Sequence, residues 1–298
     1  MIVARTVDQL AVRERAVAIG SFDGVHRGHR RVIEAARAHG KPTTAVTFWP
    51  HPRLVLGNHV ELLSTLERRL ELLEATGIDE TLVVEFTEDV AALEPADFAE
   101  QVLRRIGTAA VTAGESFRFG RGAKGDGPLL RQLGFEVELV PLLEGVSSTE
   151  IRTRLREGDV VGAAELLGRP AEIEGTVVLG DQRGGTLGYP TANLATPPDL
   201  LVPAYGIYAG AALGHRAAIS IGVNPHYGGA ERRIEPHLLD FEGDLYGRRL
   251  VVELWRRLRD ERSFQSEAEL VAQIARDVDE TRAAPRPGGR ESESGADS

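Results

Sequence analysis

The chain contains no cysteine, which removes disulfide frameworks, thiolate metal centres and cysteine nucleophiles from consideration. It has no apolar run approaching the length of a membrane span, and residues 1–5 lack the charged lead and apolar core of a secretory signal. A cytoplasmic protein that works without a membrane is therefore expected. A surplus of positive charge is missing as well: the formal net charge of −10 argues against binding nucleic acid through a broad basic surface. It leaves room for a local phosphate site, which a few arginines, histidines and backbone N–H groups can build. What is present suffices for folding, since 298 residues with 42% hydrophobic content fit two domains with separate cores. No internal repeat is visible, and self-association is left open.

Two patterns divide the chain. In the first half strand-like segments (16–19, 43–48, 81–84, 109–113, 135–141) alternate with helix-like ones (30–39, 66–76, 96–106), as in a parallel sheet covered by helices. Thr65 is placed to cap the helix from Leu66, and Gly77 to stop it. Helices are expected from Ser148 through Leu155 and over 160–167, with Gly168 and Pro170 at a domain boundary. From Glu172 onward, β-rich runs (173–179, 206–213, 217–223, 233–241, 249–258) broken by Gly, Pro and Asn suggest an antiparallel barrel. Ser266 and Glu269 form a capping box for a closing helix with Leu270, Ile274 and Val278 on one face. The fold class is thus α/β: a Rossmann-like domain over 1–168, a β-barrel domain over 169–282, and a disordered tail over 283–298 that lacks aromatics, Leu, Ile and Val.

The strongest local signal is Gly20-Ser21-Phe22-Asp23-Gly24-Val25-His26-Arg27-Gly28-His29, at the passage from an apolar strand into a helix. Glycines admit close backbone approach by a ligand, the first helical turn offers free N–H groups and positive dipole, and two histidines three apart can face the same anion. A metal pair and a solvated loop are the competing readings, but no third metal ligand stands at suitable spacing. Asp23 has two readings: ordering the loop through backbone N–H groups, or contacting the ligand. Farther on, Ser147-Ser148-Thr149-Glu150-Ile151-Arg152 is an ordinary N-cap or a phosphate grip of hydroxyls, N–H groups and a guanidinium. In the second half, 180–193 joins a glycine-rich turn to Pro190-Thr191-Ala192-Asn193, which could also be a surface loop entering a strand.

Taken together, these motifs resemble a known family. The first and the Ser-Ser-Thr-x-x-Arg segment resemble nucleotidyltransferases that move a nucleoside monophosphate onto a phosphate-bearing acceptor. The glycine-rich loop ending in Pro-Thr-Ala-Asn resembles riboflavin kinase. From about Val17 to Arg282, including 47–52, 117–120, 239–241, 244–247 and 258–264, the chain is similar to bacterial bifunctional riboflavin kinase and FAD synthetase. The resemblance implies that ATP phosphorylates riboflavin to FMN in the C-terminal domain, and that ATP adenylylates FMN to FAD with release of pyrophosphate in the N-terminal one. It implies catalytic roles for His26 and His29, and for Glu235 as the base toward the ribityl hydroxyl. Nucleotide contacts would come from Gly20, Phe22, Asp23, Gly28, Ser147, Ser148, Thr149 and Arg152 in one site and Gly180, Gly184 and Gly188 in the other. Thr191 and Asn193 would hold Mg²⁺. The sequence departs from the family pattern at Ser21, Ser116, Gly185 and 225–227. A flavin-binding regulator without turnover and an adenylyltransferase for another acceptor are the alternative readings.

Overall fold

The computed structural model describes residues 1–180, 189–223 and 232–288. The alternation of the first half produces a six-stranded sheet of β1 (Ile2–Ala4), β2 (Arg15–Ile19), β3 (Thr43–Trp49), β4 (Glu80–Glu85), β5 (Thr108–Gly114) and β6 (Glu136–Val140). Its order is β1-β4-β3-β2-β5-β6, and every neighbouring pair is parallel. Such strands are buried on both faces and read as continuous apolar runs. In β2, Val17 and Ile19 point into one core with Val46, Phe48 and Phe98, whereas Ala16 and Ala18 point into the other with Val32, Ile33 and Leu72.

The helices of this half are α1 (Arg27–Ala38), α2 (Pro52–Val55), α3 (Leu66–Glu74), α4 (Glu88–Ala92), α5 (Pro95–Phe98) and α6 (Gly127–Gln132). The expected helix over 96–106 is present in two parts, because α5 runs into a wider π-helical stretch, Ala99–Arg104. Thr65 caps α3 by accepting the Arg68 N–H at 3.0 Å, and Gly77 follows the helix at φ +76°.

The second half opens with α7 (Ser148–Glu157) and α8 (Val160–Leu167), the latter closed by Gly168 in the left-handed conformation. Then come β7 (Ala171–Val178), β8 (Asn193–Ala195), β9 (Gly206–Ala212), β10 (His215–Val223), β11 (Arg232–Leu238) and β12 (Arg249–Arg259). Their order is β11-β10-β9-β12-β7-β8, antiparallel throughout. β8 and β11 lie side by side, and the Ala192 N–H donates to the Pro236 carbonyl at 2.9 Å, so the sheet curls into a nearly closed barrel. By compactness the chain divides into Met1–Ser148 and Thr149–Ser298. α8, expected to finish the first domain, falls in the second unit because it packs on β7 and β12.

Two expectations about the C-terminus need correction. The last helix, α9 (Glu267–Ala283), has its Ser266 cap, but its buried stripe is Gln273, Asp277 and Thr281. Leu270, Ile274 and Val278 are only half-buried. The cause is charge: Arg259 of β12 grips Asp277 at 2.6 Å, and Arg216 of β10 donates to the Thr281 and Ala284 carbonyls. Nor does disorder begin at 283. Ala283 completes α9, Ala284 is buried, and Arg286 makes a two-pronged contact with Glu253, which ties residues 283–288 to the barrel. Residues 289–298 lie outside the described residues.

At the N-terminal edge of the parallel sheet, Arg15 and Glu80 form a buried ion pair at 2.7 Å, joined by Thr44 and Arg13. Removing one partner strands the other charge in the interior. Glu80→Ala should destabilise the first unit by about 3–5 kcal/mol in urea unfolding, and Arg15→Met with Glu80→Leu should restore most of that loss. A loss below about 1 kcal/mol would mean that water already screens the pair.

Candidate active sites

A doubly wound sheet opens a crevice where the strand order reverses, at the C-terminal ends of its strands. Here that point lies at β2, between β3 and β5, and the chain leaves β2 there as the loop 20–26. The loop departs from ordinary backbone: Phe22 (φ +50°), Gly24 (φ +81°) and Val25 (φ +41°) are all left-handed. It delivers His26 to the N-cap of α1, where Nδ1 accepts the His29 N–H at 3.3 Å. A neutral His26 therefore carries its proton on Nε2. The two imidazoles stack with centroids 3.6 Å apart and planes 15° from parallel. Gly28 makes room for this, since a β-carbon there would stand 3.2 Å from the His26 ring.

A cavity of about 280 Å³ adjoins the pair, lined among others by Gly20, Ser21, Phe22, His26, Gly28, His29, Ser116, Ser147 and Ser148. Thr149 and Arg152 lie farther along α7, in the second compact unit. Asp23 is not among the residues that line this cavity. Its carboxylate is enclosed beneath the loop, accepting the Leu63 N–H at 3.1 Å and the Ser64 hydroxyl at 3.4 Å beside the Arg69 guanidinium at 3.2 Å. The loop-ordering reading is the one this geometry supports. Arg69 carries no motif and was not foreseen; its only sequence signal is a cation on the apolar face of α3.

Burial holds the His29 pKa well below its ordinary value, with neighbouring His26 and then Arg69 adding to the effect. His29 is thus a neutral hydrogen-bonding group at pH 7. Two stacked imidazoles under a helix N-terminus, with Ser147 and Ser148 lining the same cavity, suit an anion that brings its own charge. Among the described residues no cluster of three or more metal-ligating His, Asp or Glu side chains occurs.

In the barrel, Glu235 lies on β11 opposite Ser220 of β10, its side chain 30% exposed and 3.7 Å from the Arg233 guanidinium. Thr191 lines a cavity of about 170 Å³ with Pro190, Pro236, Phe241 and Tyr246. Asn193 begins β8 and lines a neighbouring cavity of about 550 Å³ with Gly180, Arg232 and Arg233. The Asn193 carboxamide packs directly on Gly180, where a β-carbon would fall 2.0 Å from it and force the side chain to move. His237 Nδ1 meets the Pro190 carbonyl at 2.7 Å and so ties β11 to the Pro-Thr-Ala-Asn segment. Glu261, within the family-like segment 258–264 but given no role there, sits against Gly222 near Glu235. Burial raises its pKa against the lowering effects of Arg259 and the Val223 N–H, and Glu235 raises it slightly further. Gly184, Gly185, Gly188 and 225–227 lie outside the described residues.

A parallel sheet with a histidine pair at its switch point, followed by an antiparallel barrel that carries a glutamate on β11 beside the strand entered by Thr191 and Asn193, defines a two-domain enzyme of nucleotide chemistry. The chain matches the FAD synthetase family over residues 8–153 and the riboflavin kinase family over residues 167–284. It is 34% identical to the bifunctional riboflavin kinase/FMN adenylyltransferase of Listeria monocytogenes, over 93% of this chain and 95% of that one. With the enzyme of the same name from Escherichia coli K12 it shares 36% identity, over 87% and 89% of the two chains. A Streptococcus pneumoniae structure described as a macrolide-efflux protein superposes with a TM-score of 0.85 at 30% identity, over 95% of this chain and 99% of that one. No helix among the described residues of the present chain is long and apolar enough to cross a membrane. The chain belongs to the bifunctional riboflavin kinase/FMN adenylyltransferase family.

The His29 environment has a thermodynamic consequence. As pH falls below about 6.5 the unfolded chain protonates His29 while the folded chain resists, so folding stability drops with pH. Between pH 7 and 5.5 the melting temperature of the first unit should decline more steeply in the wild type than in His29→Asn. Equal slopes would show that His29 titrates normally.

Proposed function

We propose that the first unit carries out adenylyl transfer through His26 and His29. The FMN phosphate oxygen attacks the α-phosphorus of ATP, the bond to the pyrophosphate breaks, and pyrophosphate departs with the electron pair. Such a reaction needs no covalent enzyme intermediate; it needs alignment and stabilisation of charge growing on the phosphate oxygens. The two imidazoles and the N-terminus of α1 supply that stabilisation, and Gly20, Phe22 and Gly28 let the backbone approach the nucleotide. Ser147 and Ser148 hold the polyphosphate, a grip that the family motif extends to Thr149 and Arg152. The observation that carries this reading is the stacked histidine pair capping α1 at the switch point of the sheet, beside a cavity containing both serines.

In the barrel, Glu235 accepts the proton of the terminal ribityl hydroxyl as that oxygen attacks the γ-phosphorus of ATP and ADP leaves. The family resemblance assigns nucleotide contacts to Gly180 and, outside the described residues, to Gly184 and Gly188. Thr191 and Asn193 offer neutral oxygens, which suit a hard cation whose remaining ligands come from phosphate and water. The close seat of the Asn193 carboxamide on Gly180, where any side chain would intrude, fits such a site. Mg²⁺ bound there would neutralise phosphate charge; Thr191 and Asn193 would orient it. Cytoplasmic location agrees with the absence of cysteine from the sequence.

Incubation with riboflavin, ATP and Mg²⁺, followed by separation of flavins, should yield FMN and then FAD. His26→Ala with His29→Ala should leave FMN accumulating, with FAD formation reduced by at least about 100-fold. Glu235→Gln should abolish FMN formation but still convert supplied FMN to FAD. Loss of both steps in either folded variant would overturn the assignment of sites to domains.

A further inference from the structure

Arg69 has no part in the chemistry described above, yet the histidine loop rests on it. It lies on the buried face of α3 with Leu72 and Leu73, at 0% exposure. A guanidinium in that position must replace its lost hydration with hydrogen bonds and opposite charge. Arg69 finds them along the chain leaving β2 and β3. Its Nη1 donates to the Ser21 carbonyl at 2.9 Å and reaches the Phe48 carbonyl at 3.5 Å. Its Nη2 meets the Asp23 carboxylate at 3.2 Å, and the Trp49 ring centroid lies 5.4 Å from the guanidinium carbon.

These contacts constrain the loop at successive points. The Ser21 carbonyl also accepts the Thr47 hydroxyl at 2.9 Å, so two donors hold it in place. A trans peptide aims its N–H opposite its C=O, and fixing Ser21 thereby sets the direction of the Phe22 N–H. Asp23 is clamped by Arg69, Ser64 and the Leu63 N–H, while its own carbonyl accepts the Ser148 hydroxyl at 3.1 Å. Within and beyond these clamps stand residues that do not choose their conformation freely: Phe22 at φ +50° and, directly before His26, the β-branched Val25 at φ +41°. Backbone of this kind persists only where its surroundings impose it. Without Arg69, Asp23 would lose the guanidinium that meets its buried carboxylate, and the loop would relax.

We propose that Arg69 is a positioning residue for adenylyl transfer, holding the loop through Ser21 and Asp23 in the shape that presents His26 and His29 to the α-phosphate. The proposal rests on the adenylyl-transfer reading above. It also gives a purpose to a cation on a helix face that packing alone would fill with leucine.

The test compares Arg69→Met, Arg69→Lys and Asp23→Asn in the full-length protein, assaying FAD formation from FMN and ATP and, separately, FMN formation from riboflavin. Misplaced reacting groups lower turnover more than affinity, so Arg69→Met and Asp23→Asn should each reduce kcat for FAD by about 30- to 100-fold while both KM values stay within about threefold. Lysine keeps the charge opposite Asp23 and one carbonyl contact, and should remain within about fivefold of wild type. FMN formation should not change in any variant. Wild-type kcat in Arg69→Met, a loss expressed in KM alone, or a lysine variant as impaired as the methionine one would overturn the proposal. Should Arg69→Met lose the unfolding transition of the first unit, Asp23→Asn and Arg69→Lys decide by the same criteria. Failure of the wild type to make FAD would instead overturn the adenylyl-transfer reading. The support role would then be judged by the imidazole NMR signals of His26 and His29, which should shift in Asp23→Asn and stay near their wild-type positions in Arg69→Lys; unmoved signals in Asp23→Asn would refute it.

Discussion

The buried contact between Arg69 and Asp23 is the constraint on which the first site depends. The loop after β2 must turn sharply enough to set two imidazoles over the first turn of α1, and three of its residues take left-handed backbone to do so. Hydrophobic burial cannot enforce such a shape, because it is non-directional. Directional bonds from a guanidinium and a carboxylate can, and both groups are almost wholly withdrawn from water, where competition from solvent is weakest. Other features of the loop follow: the glycine at 28 that accommodates the His26 ring, the serine hydroxyl on the Asp23 carbonyl, and the neutral state of His29.

The parallel sheet uses its two ends differently. At the N-terminal edge a second buried ion pair, Arg15 with Glu80, ties β2, β3 and β4 together through Thr44. At the C-terminal edge the buried pair supports the loop next to the cavity instead. Between them the strands contribute mostly apolar side chains, with buried threonines such as Thr47, Thr81 and Thr112 among them. The barrel also relies on polar contacts where a simple picture would put an apolar seam, since α9 is docked through Asp277 and the Thr281 carbonyl onto arginines of β12 and β10, with Gln273 bracing Asp277. A helix held in that way is located by bond directions, which explains how the ordered chain continues past it to the Arg286–Glu253 contact.

The course of the chain was largely legible in advance. β2, β3, β5, α3, α8 and the barrel strands other than the short β8 lie where periodicity and capping residues indicate, and α8 ends at Gly168 with the bounds expected. Local rules succeed there because hydrogen bonding within a helix or strand, and the burial of one face, are written in neighbouring residues. They fail where the partner is distant in sequence. Leu270, Ile274 and Val278 form the obvious apolar stripe of α9, but Arg259 and Arg216, on other strands, set which face turns inward. Ala284 and Arg286 look like the start of a tail because their partners are residues of the barrel.

The same division applies to the sites. The sequence by itself determined the chemistry available: a histidine pair behind a glycine-rich turn, a Ser-Ser-Thr-x-x-Arg helix start, a Pro-Thr-Ala-Asn segment and a strand glutamate, all identifiable because each depends on residue type and short spacing. Only the tertiary structure decided where the Asp23 carboxylate is directed and that Arg69 meets it there. Asp23 stands inside the motif, yet its carboxylate turns away from the cavity toward a helix some forty residues later in the chain. The reason is physical: the direction of a buried charge is set by the charge it must neutralise, and no local pattern states where the fold will put that partner.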